Sequence, residues 1–291
     1  IPRSWRIPFC FVITLTLIMA TAISSFVHVP PDALAIALIC IVLSPLLLIT
    51  PDWLFIPPSK PRMNTVASEL QALLLLDEEE DVLPSPWETG PCGMMMKPEA
   101  YLLWLITLFG FGGGVYVTSN LGAICGSRSG TPVPSSKAVV TFSFAQALGR
   151  LVGGSISDVL VQRGSPRVLC FAFVLAVMAV GHGAMCIPGP LALYVGVILI
   201  GCSFGVCWPL QVLAVGELFG AERFASNYMI QNGTPAAMGS LLFANMLATT
   251  VYKRHADATG DCFGDQCFEL AHQAMVIVQL LGVAISILLS Y

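Results

Sequence analysis

The stretch LALYVGVILIGCSFGVCWPL, residues 191–210, contains no charged side chain. A bilayer core about 30 Å thick is crossed by about 20 apolar residues of α-helix, and this stretch has that length. Its apolar residues cover every side of a helix, whereas a membrane barrel strand would alternate apolar and polar positions. Because lipid offers the backbone no hydrogen-bond partners, such a segment must pair its own N–H and C=O groups. The stretch therefore predicts a transmembrane helix.

The rest of the chain has the same character. Hydrophobic residues make up 56% of the sequence and charged residues 10%, whereas soluble domains carry about 25% charged residues. Apolar stretches that each predict a membrane helix cover residues 7–28, 33–50, 99–126, 138–160, 168–187, 189–214, 224–251 and 271–290. We therefore predict an all-α, polytopic integral membrane protein with eight membrane helices, in the plasma membrane or an organelle membrane.

A polar segment divides these helices into two groups. Residues 1–50 hold two predicted helices, residues 51–98 form a proline-rich loop, and residues 99–291 hold six helices. Lys and Arg are more numerous on the side of this loop, which predicts a cytoplasmic location. Its acidic run Asp77–Asp81 would bind a basic protein partner or be a solvated linker. Clustered basic residues are absent from the sequence, which argues against a nucleic-acid partner.

The stretch GRLVGGSISDVLVQRGSPR, residues 149–167, places charges at the end of an apolar, glycine-rich segment. Arg150 and Asp158 are two helical turns apart, so we expect them on one face near the cytoplasmic end of the helix. Asp158 would pair with a following arginine or with a neighbouring helix N-terminus. The glycines would allow another helix to approach closely. We predict a latch formed by Gly149, Arg150, Gly153, Gly154, Asp158, Arg163 and Arg167.

This motif resembles the loop motif of the major facilitator superfamily, in the copy between the eighth and ninth helices. Other stretches are similar to the nodulin-like, or nuclear-fusion-defective-like, facilitators: TSNLGAICGS (118–127), GVCWPLQVLAVGELFG (205–220), NYMIQNGTPAAMGSLLFANMLATTVY (227–252) and DCFGDQCF (261–268). The resemblance covers residues 99–290. One departure is the insertion of VLVQ between Asp158 and Arg163, which leaves the partner of Asp158 open.

The resemblance implies twelve helices in two six-helix bundles joined by a cytoplasmic loop. On that scheme the chain contains helices five to twelve, and we expect four helices before Ile1. It also implies transport by alternating access, in which one bundle rocks against the other. The latch would then stabilise the state that is closed on one side. A topology signal combined with a helix cap is the simpler interpretation of the same residues.

Polar side chains at mid-depth are candidates for substrate binding, because a polar group in lipid must be hydrogen-bonded or face a water-filled path. The predicted substrate-binding residues are Gln146, Trp208, Gln211, Tyr228, Gln231, Asn232 and Asn120. Arg150 would join them if the substrate is an anion. Amide side chains in membrane helices also join neighbouring helices, which is the competing interpretation.

The remaining reactive residues predict little chemistry. Cys262 and Cys267 share a loop assigned to the outside, where a disulfide is expected. His182 could titrate, although an isolated histidine on a packed helix more often has a structural role. The sequence contains no phosphate loop, nucleophile elbow or metal-spaced cluster, so we predict no enzyme activity, no cofactor and no metal.

Two functions remain open at this point. The first is a monomeric secondary active or facilitative transporter of a small polar solute. The second is a transporter-derived membrane sensor or scaffold that acts through residues 51–98. Flux of solute by the complete protein would distinguish them.

Overall fold

The computed structural model describes residues 89–128 and 133–290, and among these residues the chain is helical with no β-strand. The helices are α1 (Pro91–Met94), α2 (Pro98–Ser127), α3 (Ser135–Gln162), α4 (Arg167–Met185), α5 (Pro190–Phe219), α6 (Phe224–Tyr228), α7 (Thr234–Gly239), α8 (Ala248–His255) and α9 (Gln266–Leu289). The predicted helices 7–28 and 33–50 and the acidic run Asp77–Asp81 lie outside the described residues.

Five helices, α2 to α5 and α9, are long and apolar enough to cross a membrane. They confirm five of the six spans predicted after residue 98. The four residues VLVQ, which separate Asp158 from Arg163, continue α3 by one turn to Gln162. The loop that follows turns at Gly164, whose φ of 86° suits glycine because a Cβ would be strained there.

The sixth predicted span, 224–251, is helical but not a regular α-helix. Residues 224–255, called the rod below, consist of α6, α7 and α8 separated by the π-helical segments Met229–Gly233 and Ser240–Leu247. Pro235 has no N–H to donate to the carbonyl four residues earlier, which belongs to Gln231. The regular i to i−4 hydrogen bond is therefore missing at this point of the rod.

The helix α5 packs against both α3 and α4. Between α3 and α5 the backbones themselves are in contact. A Cβ at Gly149 would collide with the carbonyl oxygen of Cys202, and one at Gly205 would collide with the carbonyl oxygen of Gln146. Gly153 lies in the same contact, opposite Val206, whereas a Cβ at Gly154 would meet only ordinary contact distances. The close approach predicted for the three glycines thus holds for Gly149 and Gly153 but is wrong for Gly154.

Residues 89–97, assigned from the sequence to the loop, pack onto the helices. The N–H of Thr89 donates to the carbonyl of Phe219 at 3.2 Å, and Met94 of α1 is completely buried. Met94 is surrounded because α1 folds back beside the start of the rod. The packed unit therefore begins before residue 98.

Replacing Gly205 with Ala should destabilise the protein by about 1–3 kcal/mol, because the new methyl group has no room against α3. The matched control is Gly122→Ala in α2, where no atom lies within 4 Å of an added Cβ. This control should be neutral or slightly stabilising, since alanine is the better helix former. Thermal unfolding in detergent would measure both, and equal midpoints would contradict the contact.

Candidate functional site

Arg150 lies near the middle of α3, 15 residues after Ser135 and 12 before Gln162. At 1.5 Å per residue it is about 18 Å from the nearer end of the helix. Its side chain is exposed, and its guanidinium carbon lies 4.7 Å from the centre of the Trp208 ring on α5. The prediction that Arg150 shares a patch with Asp158 near the helix end is therefore wrong, since the two side chains have different partners at different depths.

The Trp208 ring is held by other aromatic side chains. The ring of Phe111 on α2 lies 4.7 Å away in an edge-on arrangement, and the ring of Phe204 lies 6.1 Å away. One turn before Arg150, Gln146 is half-buried on α3. Gln146, Arg150 and Trp208 therefore form a polar strip across α3 and α5, at the level where the two backbones touch.

The charge of Arg150 is only partly compensated in this strip. A cation–π contact contributes about 0.5–2 kcal/mol, whereas an arginine at mid-membrane costs about 2.5–3.5 kcal/mol on insertion scales. Within the described residues, no carboxylate lies within salt-bridge distance of Arg150. The remaining cost requires water, a ligand or another polar group beside the guanidinium.

Arg167 at the start of α4 is the arginine that pairs with Asp158. Its Nη1 donates to Asp158 Oδ1 at 2.8 Å and to the Ser157 hydroxyl, and its Nε donates to Glu217 Oε1 at 2.6 Å. Arg167 is buried, whereas the two carboxylates are about half exposed. This cluster ties the ends of α3, α4 and α5 together.

The latch residues are thus not all in one place. Arg163 is exposed at the end of α3, and Arg150 lies well away along that helix. Arg167 contacts both Asp158 and Glu217 inside the unit 87–291. As described, the cluster fixes helix ends within one unit, and its role in gating stays a prediction.

Gln211 and Gln231, two predicted substrate residues, join three helical elements. The Thr107 hydroxyl of α2 donates to Gln211 Oε1 at 2.8 Å, and Gln211 Nε2 donates to the backbone carbonyl of Gln231 at 2.9 Å. That carbonyl lies four residues before Pro235, which has no N–H to donate to it. Gln231 Nε2 in turn donates to the carbonyl of Ala100 at 3.0 Å. Both glutamines are completely buried, so these bonds hold the rod against α2 and α5.

The other candidates are spread over the bundle. Tyr228 is half-buried and stacks on Phe224. Asn232 is half-buried, and its Oδ1 has no hydrogen-bond partner within the described residues. Asn120 lies toward the other end of α2, where its Nδ2 donates to the carbonyls of Tyr116 and Ala244. The predicted substrate residues therefore do not form a single site, and their roles in binding stay predictions.

A second histidine, which the sequence analysis missed, faces His182. The Nδ1 atoms of His182 on α4 and His272 on α9 are 3.2 Å apart, and both side chains are buried. At that distance one Nδ1 carries the proton and the other accepts it. The Tyr116 ring of α2 packs edge-on to His272 at 5.2 Å. The two histidines are 90 positions apart in the sequence, which leaves no local pattern that could have revealed the pair.

The end of the bundle opposite Arg167 is joined by Arg128 and a disulfide. Arg128 donates to the carbonyls of Met185 and Ile187 at the C-terminus of α4, at 2.6 Å each. Cys262 and Cys267 are joined in a disulfide with their Cα atoms 5.9 Å apart, as the sequence predicts. In the same loop, hydrogen bonds from Thr259, chiefly its hydroxyl, lower the pKa of the Asp257 carboxyl.

Among the described residues, no group of three or more His, Cys, Asp or Glu side chains could hold a metal ion. The two buried histidines lack a third such ligand. The candidate site therefore consists of arginines, amide side chains and aromatic rings.

A helical bundle with five helices long and apolar enough to cross a bilayer is a multi-pass membrane protein. The family described as NFD4, C-terminal domain, matches residues 87–291, and the chain belongs to this family. The match confirms the nuclear-fusion-defective part of the resemblance. Comparisons with curated proteins and with solved structures gave no significant match.

Replacing Arg167 with Met should lower the stability of the bundle by about 1–2 kcal/mol. The change removes three hydrogen bonds that the guanidinium donates, and partial exposure of both carboxylates limits the cost. Arg163→Met, at an exposed position of the same loop, is the control and should shift stability by less than about 0.5 kcal/mol. Unfolding in detergent would compare them, and equal effects would contradict the cluster.

The two histidines should show energetic coupling. His182→Leu or His272→Leu alone leaves one buried imidazole without its partner, whereas the double variant removes both polar groups. We expect the double variant to be more stable than the sum of the single effects by about 0.5–3 kcal/mol. Unfolding free energies from a double-mutant cycle would measure this difference, and additive effects would show that the contact contributes nothing.

Proposed function

We propose that this protein is a secondary active or facilitative transporter of a small polar solute, working by alternating access. We also propose that its helices form a bundle of the major facilitator superfamily type. The family match and the long apolar helices are compatible with both statements. The observation that carries the proposal is the polar strip of Gln146, Arg150 and Trp208 at the middle of two membrane helices.

The strip supports transport because of its depth and exposure. Polar residues inside a membrane usually face a bundle interior or a water-filled cavity, and they commonly mark a solute pathway. Arg150 is exposed on its bundle, and Gln146 is half-buried. An exposed arginine about 18 Å from the end of its helix would be costly against lipid tails. A water-filled path beside α3 accounts for it.

The rod gives a second line of support. Carriers place their sites beside membrane helices that depart from regular α-helix, because these helices present free backbone groups. The rod has two π-helical segments, and π-bulges occur frequently at functional sites. The Arg167 cluster fits the same scheme, since tied ends of α3, α4 and α5 would let these helices move as one body.

The remaining properties follow as proposals. The partners would be a small solute and the lipid bilayer, with a basic protein partner at the acidic run Asp77–Asp81. We propose a monomer without enzyme activity, cofactor or metal. In the six spans after residue 98, Glu99 and Asp158 lie at helix ends, so no carboxylate is placed at mid-depth for proton coupling.

Thiol labelling tests the water-filled path. A cysteine at Gln146 should react with a membrane-impermeant maleimide, and the side from which it reacts should change when the carrier changes state. Phe173→Cys, on the exposed apolar surface of α4, is the control and should stay unlabelled. The exposed Cys92 is first replaced by Ser. A Gln146→Cys variant that is never labelled from either side would refute the path.

A further inference from the structure

Arg150 is the only Lys or Arg within the eight apolar stretches that predict membrane helices. The only acidic residues in those stretches are Glu99 and Asp158. Glu99 lies in the first turn of α2, and Asp158 is paired with Arg167. The membrane segments of this chain therefore contain one positive charge at mid-depth and no carboxylate at that depth to neutralise it.

The contacts of Arg150 leave its donors free. The guanidinium lies over the Trp208 ring, which occupies one face of the group and none of its N–H edges. A guanidinium presents five N–H donors in a planar fork that matches the two oxygens of a carboxylate. Within the described residues, no hydrogen bond or salt bridge occupies this fork.

The backbone contact between α3 and α5 fixes the position of the Arg150 guanidinium. Gly149 and Gly205 bring the backbones of α3 and α5 into contact, so Arg150 extends directly over Trp208. The rings of Phe111 and Phe204 pack against the indole ring. A group held this way loses little freedom when it binds a ligand, which favours binding.

Lipid headgroups are poor candidates to neutralise this charge. The helix α3 has 28 residues and is about 42 Å long, so centring it on a hydrocarbon core about 30 Å thick places Arg150 about 13 Å inside the nearer edge of the core. A small anion that enters by a water-filled path has no such restriction. Half-buried Gln146, one helical turn before Arg150 on the same helix, is a neutral hydrogen-bonding group near the fork.

We propose that Arg150, supported by Trp208, is the binding site for a small carboxylate anion. That this anion is the transported solute rests on the proposed transport function, whereas the binding site itself does not. A single positive charge with neutral neighbours favours a monocarboxylate over a dicarboxylate, because a second negative charge would have no partner in these segments.

Quenching of Trp208 fluorescence tests the site in the full chain. The other four tryptophans, Trp5, Trp53, Trp87 and Trp104, are replaced by Phe, and the protein is reconstituted in phosphatidylcholine vesicles. Iodide, an anionic quencher, should quench Trp208 with a saturable dependence on concentration. Arg150→Gln should reduce the saturable part at least about five-fold, Arg150→Lys should reduce it less, and quenching by neutral acrylamide should not change.

Competition identifies the class of anion. Acetate should reverse iodide quenching, whereas acetamide, its neutral isostere, should not. Vesicles that also contain phosphatidylglycerol should behave like phosphatidylcholine vesicles, and loss of quenching there would assign the site to a lipid headgroup and overturn the proposal. Linear quenching, quenching unchanged by Arg150→Gln, or equal effects of acetate and acetamide would overturn it as well.

The quenching experiment tests the anion site, and a flux experiment tests the transport function separately. Saturable quenching that depends on Arg150, without carboxylate flux in proteoliposomes, would support the anion site and refute the carrier. Carboxylate flux in proteoliposomes without saturable, Arg150-dependent quenching would refute the anion site and support the carrier.

Discussion

The backbone contact between α3 and α5 is the constraint on which the candidate site depends. Gly149, Gly153 and Gly205 remove the side chains that would keep these helices apart, and carbonyl oxygens then lie where a Cβ would be. Dispersion and close packing, rather than hydrophobic driving force, hold helices together in lipid, so such a contact stabilises the pair directly. Because of this contact, Arg150 projects over the ring of Trp208 and away from the Arg167 cluster.

Three arginines make different contacts, which depend on their depth in the bundle. Arg167 at one end is buried among two carboxylates and a serine, and Arg128 at the other end donates to the last carbonyls of α4. Positive charge is favoured at a helix C-terminus, because the macrodipole is negative there. Arg150 alone lies between the ends. It is also the arginine whose charge lacks a carboxylate among the described residues.

Polar side chains of neighbouring helices donate hydrogen bonds to the backbone of the irregular rod. Its π-helical segments contain carbonyls at Gln231 and Ala244 that accept hydrogen bonds from Gln211 and Asn120 of neighbouring helices. An unpaired carbonyl in lipid would cost several kcal/mol, so these amides are structurally useful whether or not they contact a solute. The same amides that predict a substrate site thus also act as interhelical bonds.

Hydropathy alone predicted the five long helices to within a few residues, because a membrane span depends on a property of each segment by itself: about 20 apolar residues that satisfy their own backbone. The pairing of Asp158, the partner of His182 and the ring beneath Arg150 involve residues nine to 90 positions apart. Those distances carry no periodic signal, and the side chains meet only because α3, α4, α5 and α9 pack at particular depths. The amino-acid sequence by itself determined that this chain crosses a membrane as helices and which polar residues lie within them. Only the tertiary structure decided which of these residues are bound to one another and that the Arg150 fork has no carboxylate partner among the described residues, because helix packing sets which side chains are neighbours.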